Sequence, residues 1–243
     1  ETYTLPSKGL VYEANENIPA SITLRRMTTK EEKIRIRNES EDRIRRDLLQ
    51  ACILEPINAD KLKIEDANYL LFQLRVISLI DDTYKIICRC PNCGTEFVHK
   101  INLSEVPVTF LNTDDLVLFE ETLPMCGAQI KFKLPSIGDI IQMGDTIKDY
   151  IAHSPNIDRG ELIYTLSSIL YIDKINGHDL LSEELEQYLD NLDILDTRKL
   201  KEHIRKLDKL YGYQTELKTL CPNCKKEVTH GLPITGELFN PSN

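Results

Sequence analysis

The tetrapeptide CPNC stands at Cys90 to Cys93 and again at Cys221 to Cys224, in a chain of 243 residues with seven cysteines. Two residues between cysteines let one tight turn aim both sulfurs and several backbone amides at a single point, where metal–sulfur distances near ~2.3 Å can be met. Two such turns supply four thiolates, Cys90, Cys93, Cys221 and Cys224, which is a complete tetrahedral shell for one Zn²⁺. A complete shell leaves no open position for a substrate, so the chemistry expected of it is structural.

The likeness of the two copies runs past the tetrapeptide. At an offset of 131 positions Glu96 meets Glu227, Phe97 meets Val228 and His99 meets His230. A redox pair is the first alternative, but it needs a helix N-terminus or similar field to lower a thiol pKa, and both copies lie in strand-like sequence. Iron on the same four sulfurs is chemically possible. His99 and His230, each six residues after the second cysteine of its copy, would make two three-ligand half-sites that each lack a ligand. Since four cysteines already complete one shell, both are read as strand histidines near the surface. Cys88 reads as a spare strand thiol, and Cys52, in LLQACIL, as a small buried hydrophobe.

Compact zinc ribbons often separate their knuckles by only about 15 to 20 residues. Here 127 residues intervene. Closing so long a loop costs roughly 4 kcal/mol plus a constant, against an apparent ~10 to 16 kcal/mol for structural zinc in peptides. The metal is therefore expected to hold the ends of an insertion together.

The elements that must position these cysteines follow from periodicity. The opening residues read as a loop around Pro6 and Gly9, then strand-like alternation at Ile22, Leu24 and Arg26. Thr28 and Glu31 form a capping box ahead of a charged helical region from Thr29 to about Leu54, interrupted near Asn38. In it Glu31 and Arg35, Glu39 and Arg43, Glu41 and Arg45, and Asp42 and Arg46 are spaced as ion pairs along a solvated face. In IEDANYLLFQLRVIS, Ala67, Leu70, Leu71, Leu74 and Ile77 make a buried helical stripe, with Tyr69 and Phe72 expected to pack.

Strand character then surrounds the first CPNC and continues in VPVTFL, DLVLFEETL and AQIKFKL, with turns at Asn112 to Asp115 and at Cys126-Gly127. Ser136 and Asp139 open a helix to about His153. A core helix is expected over Asp158 to Ile172 on Leu162, Ile163, Leu166, Ile169 and Leu170. Two more run from about Ser182 to Leu192 and Thr197 to Tyr211, before YQTELKTL returns to strand. The fold class implied is α+β: a helical N-terminal region over 1–84, a discontinuous four-cysteine zinc ribbon of two β-hairpins over 85–104 with 213–243, and an inserted α+β domain over 105–212.

Composition narrows the function classes. A hydrophobic fraction of 41% and a charged fraction of 28% are those of a globular chain. No apolar run reaches membrane-span length and the start lacks a signal-peptide pattern, so a cytosolic product is expected. A net charge of −9 opposes binding to a polyanion. Phosphate loops, HExxH pairs and nucleophile elbows are missing from the sequence, and acidic pairs such as Asp81-Asp82 and Asp114-Asp115 fall in turns.

The order of several stretches carries a resemblance. LPSKGLVY at the start, ITLRRMT leading into a TxxE-capped helix, IEDANYLLFQLRVIS, a strand into CPNC, and a closing CPNC followed by GLPITGELFNPS together resemble the T-even-like bacteriophage baseplate protein family, over about Leu5 to Leu103 and Leu217 to Pro241. The resemblance implies a non-enzymatic protein of tail morphogenesis, either a component of the baseplate or hub or a factor for its assembly. Its partners would be other baseplate and tail subunits, with no nucleic acid, membrane or small-molecule substrate. It would be found in the virion tail baseplate, and in the host cytoplasm during assembly. LPSKGLVYE would be an arm on a neighbouring subunit or a simple surface loop. The rival is a zinc-ribbon module for nucleic acid or a transcription complex, using Lys85, Arg89 and Lys100 near the first copy and Lys218, Lys225 and Lys226 near the second.

Overall fold

The computed structural model describes residues 1–79, 82–153, 159–214 and 216–232. The tail motif after Leu232, Asp81, and the expected helix start at Asp158 lie outside them. The architecture is mixed helix and sheet, with small antiparallel sheets only among the described residues.

The chain opens with a ribbon of β1 (Thr2–Thr4) and β2 (Ser21–Thr23). Next come α1 (Thr29–Arg35), carrying the Thr28/Glu31 capping box, and α2 (Glu41–Cys52), separated where the sequence expects a break. The central element is α3 (Ile64–Ser78), with its expected stripe buried along with Asp66, Tyr69, Phe72 and Arg75. Burial on every side makes α3 the axis of a main core that includes Leu5, Ile22, Leu49, Phe72 and Tyr213.

Two expectations about this region are corrected. LPSKGLVY is not an arm or surface loop: Leu5 and Ser7 are fully buried. The cause is Asp66, whose carboxylate accepts hydrogen bonds from Ser7 N–H at 3.0 Å and Tyr12 Oη–H at 2.7 Å, since a buried carboxylate must be paired. Of the four predicted helical ion pairs, Glu41–Arg45 forms, at 3.3 Å. Glu31 instead takes Arg25 at 2.8 Å, Arg43 reaches Asp145, and Arg46 reaches Asp60 at 2.9 Å. These arginines tie α2 to its neighbours rather than forming a merely solvated face.

The first CPNC joins β3 (Thr83–Arg89) to β4 (Glu96–Asn102), followed by the short β5 (Val108–Thr109). DLVLFEETL is mainly a 3₁₀ segment, Thr113–Phe119, because the Asn112/Asp115 capping box starts a helical turn. Only β6 (Glu120–Thr122) of that stretch is strand. β6 pairs with β7 (Gln129–Phe132), which pairs with β8 (Ile172–Ile175). Between β7 and β8 run α4 (Ile137–His153) and α5 (Arg159–Ile169). In α5 Leu166 is buried but Ile163 is 39% exposed, since one narrow face packs on Met143 and Ile147 of α4.

Helices α6 (Ser182–Asp190) and α7 (Ile194–Leu207) follow. α7 starts earlier than the sequence suggests because Asp193 caps it, accepting Leu195 N–H at 2.7 Å. The last described elements are β9 (Gly212–Tyr213), β10 (Glu216–Leu220) and β11 (Glu227–Gly231).

A second core gathers Leu111, Leu123, Phe132, Ile172, Leu200 and Tyr211. Ile137 of α4 belongs to the main core instead, so residues between the two CPNC copies contribute to both. β5 pairs with β9 through Val108↔Tyr213 and Thr109↔Gly212, and Tyr213 packs on Phe72 with ring centroids 4.6 Å apart. The two long-separated hairpins are thus anchored by the same fold, through a strand pair that lies 15 residues after Cys93 and 8 before Cys221.

Candidate metal centre

Each CPNC is the turn of a two-stranded hairpin. In the first, Gly94 N–H donates to Cys90 O at 2.9 Å and Cys90 N–H to Thr95 O at 2.9 Å. In the second, Lys225 N–H donates to Cys221 O at 3.0 Å and Cys221 N–H to Lys226 O at 2.9 Å. Both turns need a left-handed residue at the same place, Gly94 with φ +73° and Lys225 with φ +60°. Strand registers also agree under the offset of 131: Ile86↔His99 and Arg89↔Glu96 in one, Leu217↔His230 and Leu220↔Glu227 in the other.

The two hairpins face each other, and their contacts are reciprocal. Cys90 Sγ lies 3.6 Å from Cys224 Sγ, and Cys93 Sγ lies 3.6 Å from Cys221 Sγ. Lys226 Nζ donates to Asn92 Oδ1 at 2.8 Å, and Asn223 Nδ2 donates to Thr95 Oγ1 at 3.2 Å. His99 meets His230, Nδ1 to Nε2, at 2.7 Å. Replacing each residue by the one 131 positions away turns every one of these pairs into another pair of the set, or into itself. That is the signature of an internal two-fold axis, as in an isologous dimer, with the histidine pair on the axis.

All four sulfurs lie within 4.8 Å of one another. A Zn–S distance of about 2.3 Å implies tetrahedral S···S edges of roughly 3.8 Å, so this donor set fits one thiophilic ion. Cys90 and Cys221 are buried, Cys224 is half-buried and Cys93 is exposed. Hydrogen bonding from Thr95 pulls the Cys93 thiol down to about 6. Backbone N–H groups of Cys93 and Asn92 also favour thiolate at Cys90, but burial and the neighbouring sulfurs hold it up to about 11. With all four sulfurs as thiolates the group would need a cationic counter-charge, which a divalent ion would supply.

His99 and His230 are not in the four-sulfur group; they are interface residues, which the sequence reading of separate strand histidines misses. Burial and the facing His230 hold the His99 pKa below its usual value. Cys88 is buried on β3 outside the cluster, and Cys52 is buried in α2.

The structure also contains a third hairpin of the same build, which the sequence reading treats as a plain turn. LPMCGA at Leu123–Ala128 aligns with CPNCGT at an offset of 33. Gly127 N–H donates to Leu123 O at 3.0 Å, Leu123 N–H to Ala128 O at 2.9 Å, and Gly127 has φ +69°. The register Thr122↔Gln129 corresponds to Arg89↔Glu96. Leu123 stands where Cys90 does, buried, and cannot ligate a metal. Instead the carboxylate of Asp196 from α7, fully buried, accepts Met125 N–H at 2.8 Å and Cys126 N–H at 3.0 Å. Those amides are the counterparts of Asn92 and Cys93. Burial alone would raise Asp196, but these N–H groups outweigh it and hold its pKa below the usual carboxylate value. The shared P-x-C-G was the sequence signal.

Fold and site together define a protein of mixed helix and small antiparallel sheets with a compact four-cysteine cluster between two-fold-related hairpins, suited to a structural ion. The sequence profile described as T4 bacteriophage base plate protein matches residues 2–240, and the chain belongs to that family. No curated protein and no solved structure matches it. Membership supports a structural role in a phage baseplate and a place in the virion tail. No described helix is long and apolar enough to cross a membrane.

Proposed function

We propose that the chain is a non-enzymatic part of the baseplate or hub, or a factor in its assembly, acting through contacts with other tail subunits. One structural Zn²⁺ on Cys90, Cys93, Cys221 and Cys224 closes a discontinuous ribbon, 85–104 with 213–243, around the 105–212 insertion. The observation that carries the role is the family match over nearly the whole chain. The zinc reading is supported by four sulfurs within 4.8 Å of one another, a donor set that would hold an ion without leaving a coordination position for substrate. The protein resides in the host cytoplasm during assembly.

Two measurements test this. Metal analysis of the purified chain is expected to give one zinc per chain, lost in a Cys90→Ser/Cys221→Ser variant; iron or no metal overturns the zinc. Mass spectrometry of purified virions is expected to find the chain as a component, whereas presence only in assembly intermediates assigns it to the assembly factors. Nucleic-acid binding, the rival function, predicts a gel shift that persists at physiological salt.

A further inference from the structure

The two-fold relation between the hairpins gives an internal control for every surface position. On the outward face of β3–β4, Ile87 and Val98 are cross-strand partners, 77% and 55% exposed. Their two-fold counterparts, Lys218 and Thr229, are also paired and exposed. The hairpin therefore folds with polar residues at these positions, so its own packing does not require the apolar pair. Around that pair lie Lys85 and Lys100, placed opposite each other, and the Arg89↔Glu96 pair. An apolar centre with a charged rim is the anatomy of a protein interface.

A complementary surface exists elsewhere on the chain. Beside the third hairpin an open cleft of about 640 Å³ is lined by Met125, Leu180, Tyr188 and Leu192, with carboxylates of Glu184 and Asp193 at its margin. Met125 is 59% exposed. One surface has an apolar centre and a rim of three basic residues and one acidic one, and the other a largely apolar floor with carboxylates and the amides of Gln187 and Asn191 around it. A contact of the basic face with a second basic face would be repulsive, which disfavours a face-to-face dimer.

We propose that the Ile87/Val98 face of one copy docks into the Met125/Leu192 cleft of a second copy, in a head-to-tail contact that can propagate into a ring or a filament. This rests on the reading that the chain acts through protein contacts, and adds that one of its partners is itself. The acidic cleft selects Lys100 and Arg89 over competitors and makes the association weaken with salt.

The test uses three forms of the full chain in sedimentation velocity. Wild type is expected to self-associate as its concentration rises from about 1 to about 200 µM, less so in high salt. Ile87→Lys/Val98→Thr, which copies the second hairpin and so preserves the fold, removes the face; Met125→Lys, at an exposed site, removes the cleft. Each variant is expected to stay monomeric alone, with apparent affinity down about tenfold or more. Mixed, they retain one good face and one good cleft and form a heterodimer that grows no further. Wild type that stays monomeric at the highest concentration overturns the proposal, as does a mixture that does not associate. So does a basic face that shifts a duplex oligonucleotide in place of self-association. A monomeric chain still found in virions overturns self-docking alone and leaves the baseplate role standing.

Discussion

The paired knuckles and the third hairpin build the same turn from the same backbone hydrogen bonds, yet close it differently. In the pair, amides of Asn92 and Cys93 face a sulfur of the four-thiol cluster, and cross-hairpin contacts follow a two-fold axis. In the third, the equivalent amides of Met125 and Cys126 face the buried carboxylate of Asp196, and the partner is helix α7. The turn itself is thus indifferent to what it closes on. What it requires is an anion at the point where its N–H groups converge, and a thiolate or a carboxylate meets that need. The two regions should then respond to different perturbations.

Metal loss makes the largest difference between them. Structural zinc is worth an apparent ~10 to 16 kcal/mol in peptides, against about 5 to 15 kcal/mol for the stability of a whole domain. Cys90→Ser/Cys221→Ser, or chelation, is expected to leave the chain insoluble or protease-sensitive. Cleavage should concentrate in 83–102 and 216–231, while the third hairpin stays protected, since the Asp196 carboxylate and not a thiol cluster closes it. Limited proteolysis read by mass spectrometry checks this. A soluble double variant with unchanged melting removes the structural-metal reading and the contrast with it.

Asp196 is the corresponding weak point of the third hairpin. Asp196→Ala leaves the Met125 and Cys126 N–H groups without their carboxylate acceptor, and a fall in Tm of roughly 5 °C is expected. Asp196→Asn keeps one acceptor oxygen and should lose less. Zinc content should be unchanged in both. Because the folded pKa of Asp196 lies below its unfolded value, its contribution is present above about pH 4 and fades as pH falls through the folded value. Equal acid sensitivity in wild type and Asp196→Asn would show that the carboxylate does not act this way.

How far the sequence led differs between the same two regions. The four cysteines, their spacing and the α3 stripe were legible because each depends on local pattern: a turn chemistry in one case, a helical period in the other. The two-fold axis was legible in part, since the 131-residue repeat was read as two halves of one site but not as a symmetry that brings His99 onto His230. The third hairpin was hidden because its ligand-type residue is Leu123 and its anion comes from Asp196, distant in sequence. The packing of LPSKGLVY is hidden for a similar reason, as the buried acid that holds it, Asp66, sits in another element. Likewise Asn112/Asp115 capping overrode the strand propensity of DLVLF.

The histidine pair offers a smaller and reversible break. His99 and His230 share one hydrogen bond at 2.7 Å, which requires at least one neutral ring, and burial with the neighbouring imidazole lowers the folded pKa of His99. The pair's contribution is present above the unfolded value near ~6.5 and is lost as pH falls through the lower folded value. Lowering the pH from about 7.5 to about 5.5 should therefore reduce Tm by a few degrees in wild type. His99→Gln/His230→Gln should flatten that slope while zinc remains bound at both pH values. A slope that is unchanged in the variant assigns the acid sensitivity to other groups.

The finest comparison is between the two left-handed residues of the paired knuckles. Gly94 and Lys225 occupy equivalent positions with φ of +73° and +60°, and a Cβ placed on Gly94 would meet nothing within 4 Å. Space is therefore not what distinguishes them; only the backbone conformation is. A non-glycine residue there carries about 1 to 2 kcal/mol of steric cost, and glycine carries roughly 0.5 to 1 kcal/mol of extra chain entropy. The difference predicts that Lys225→Gly stabilises by about 0.5 to 1 kcal/mol. By the same balance Gly94→Lys destabilises by a similar amount, with zinc stoichiometry unchanged in each. Chemical denaturation of the two variants measures the two halves of one equality. Unequal magnitudes would mean that the two-fold relation stops short of the turns, and that the Lys226–Asn92 contact holds the second knuckle in a conformation its own backbone does not prefer.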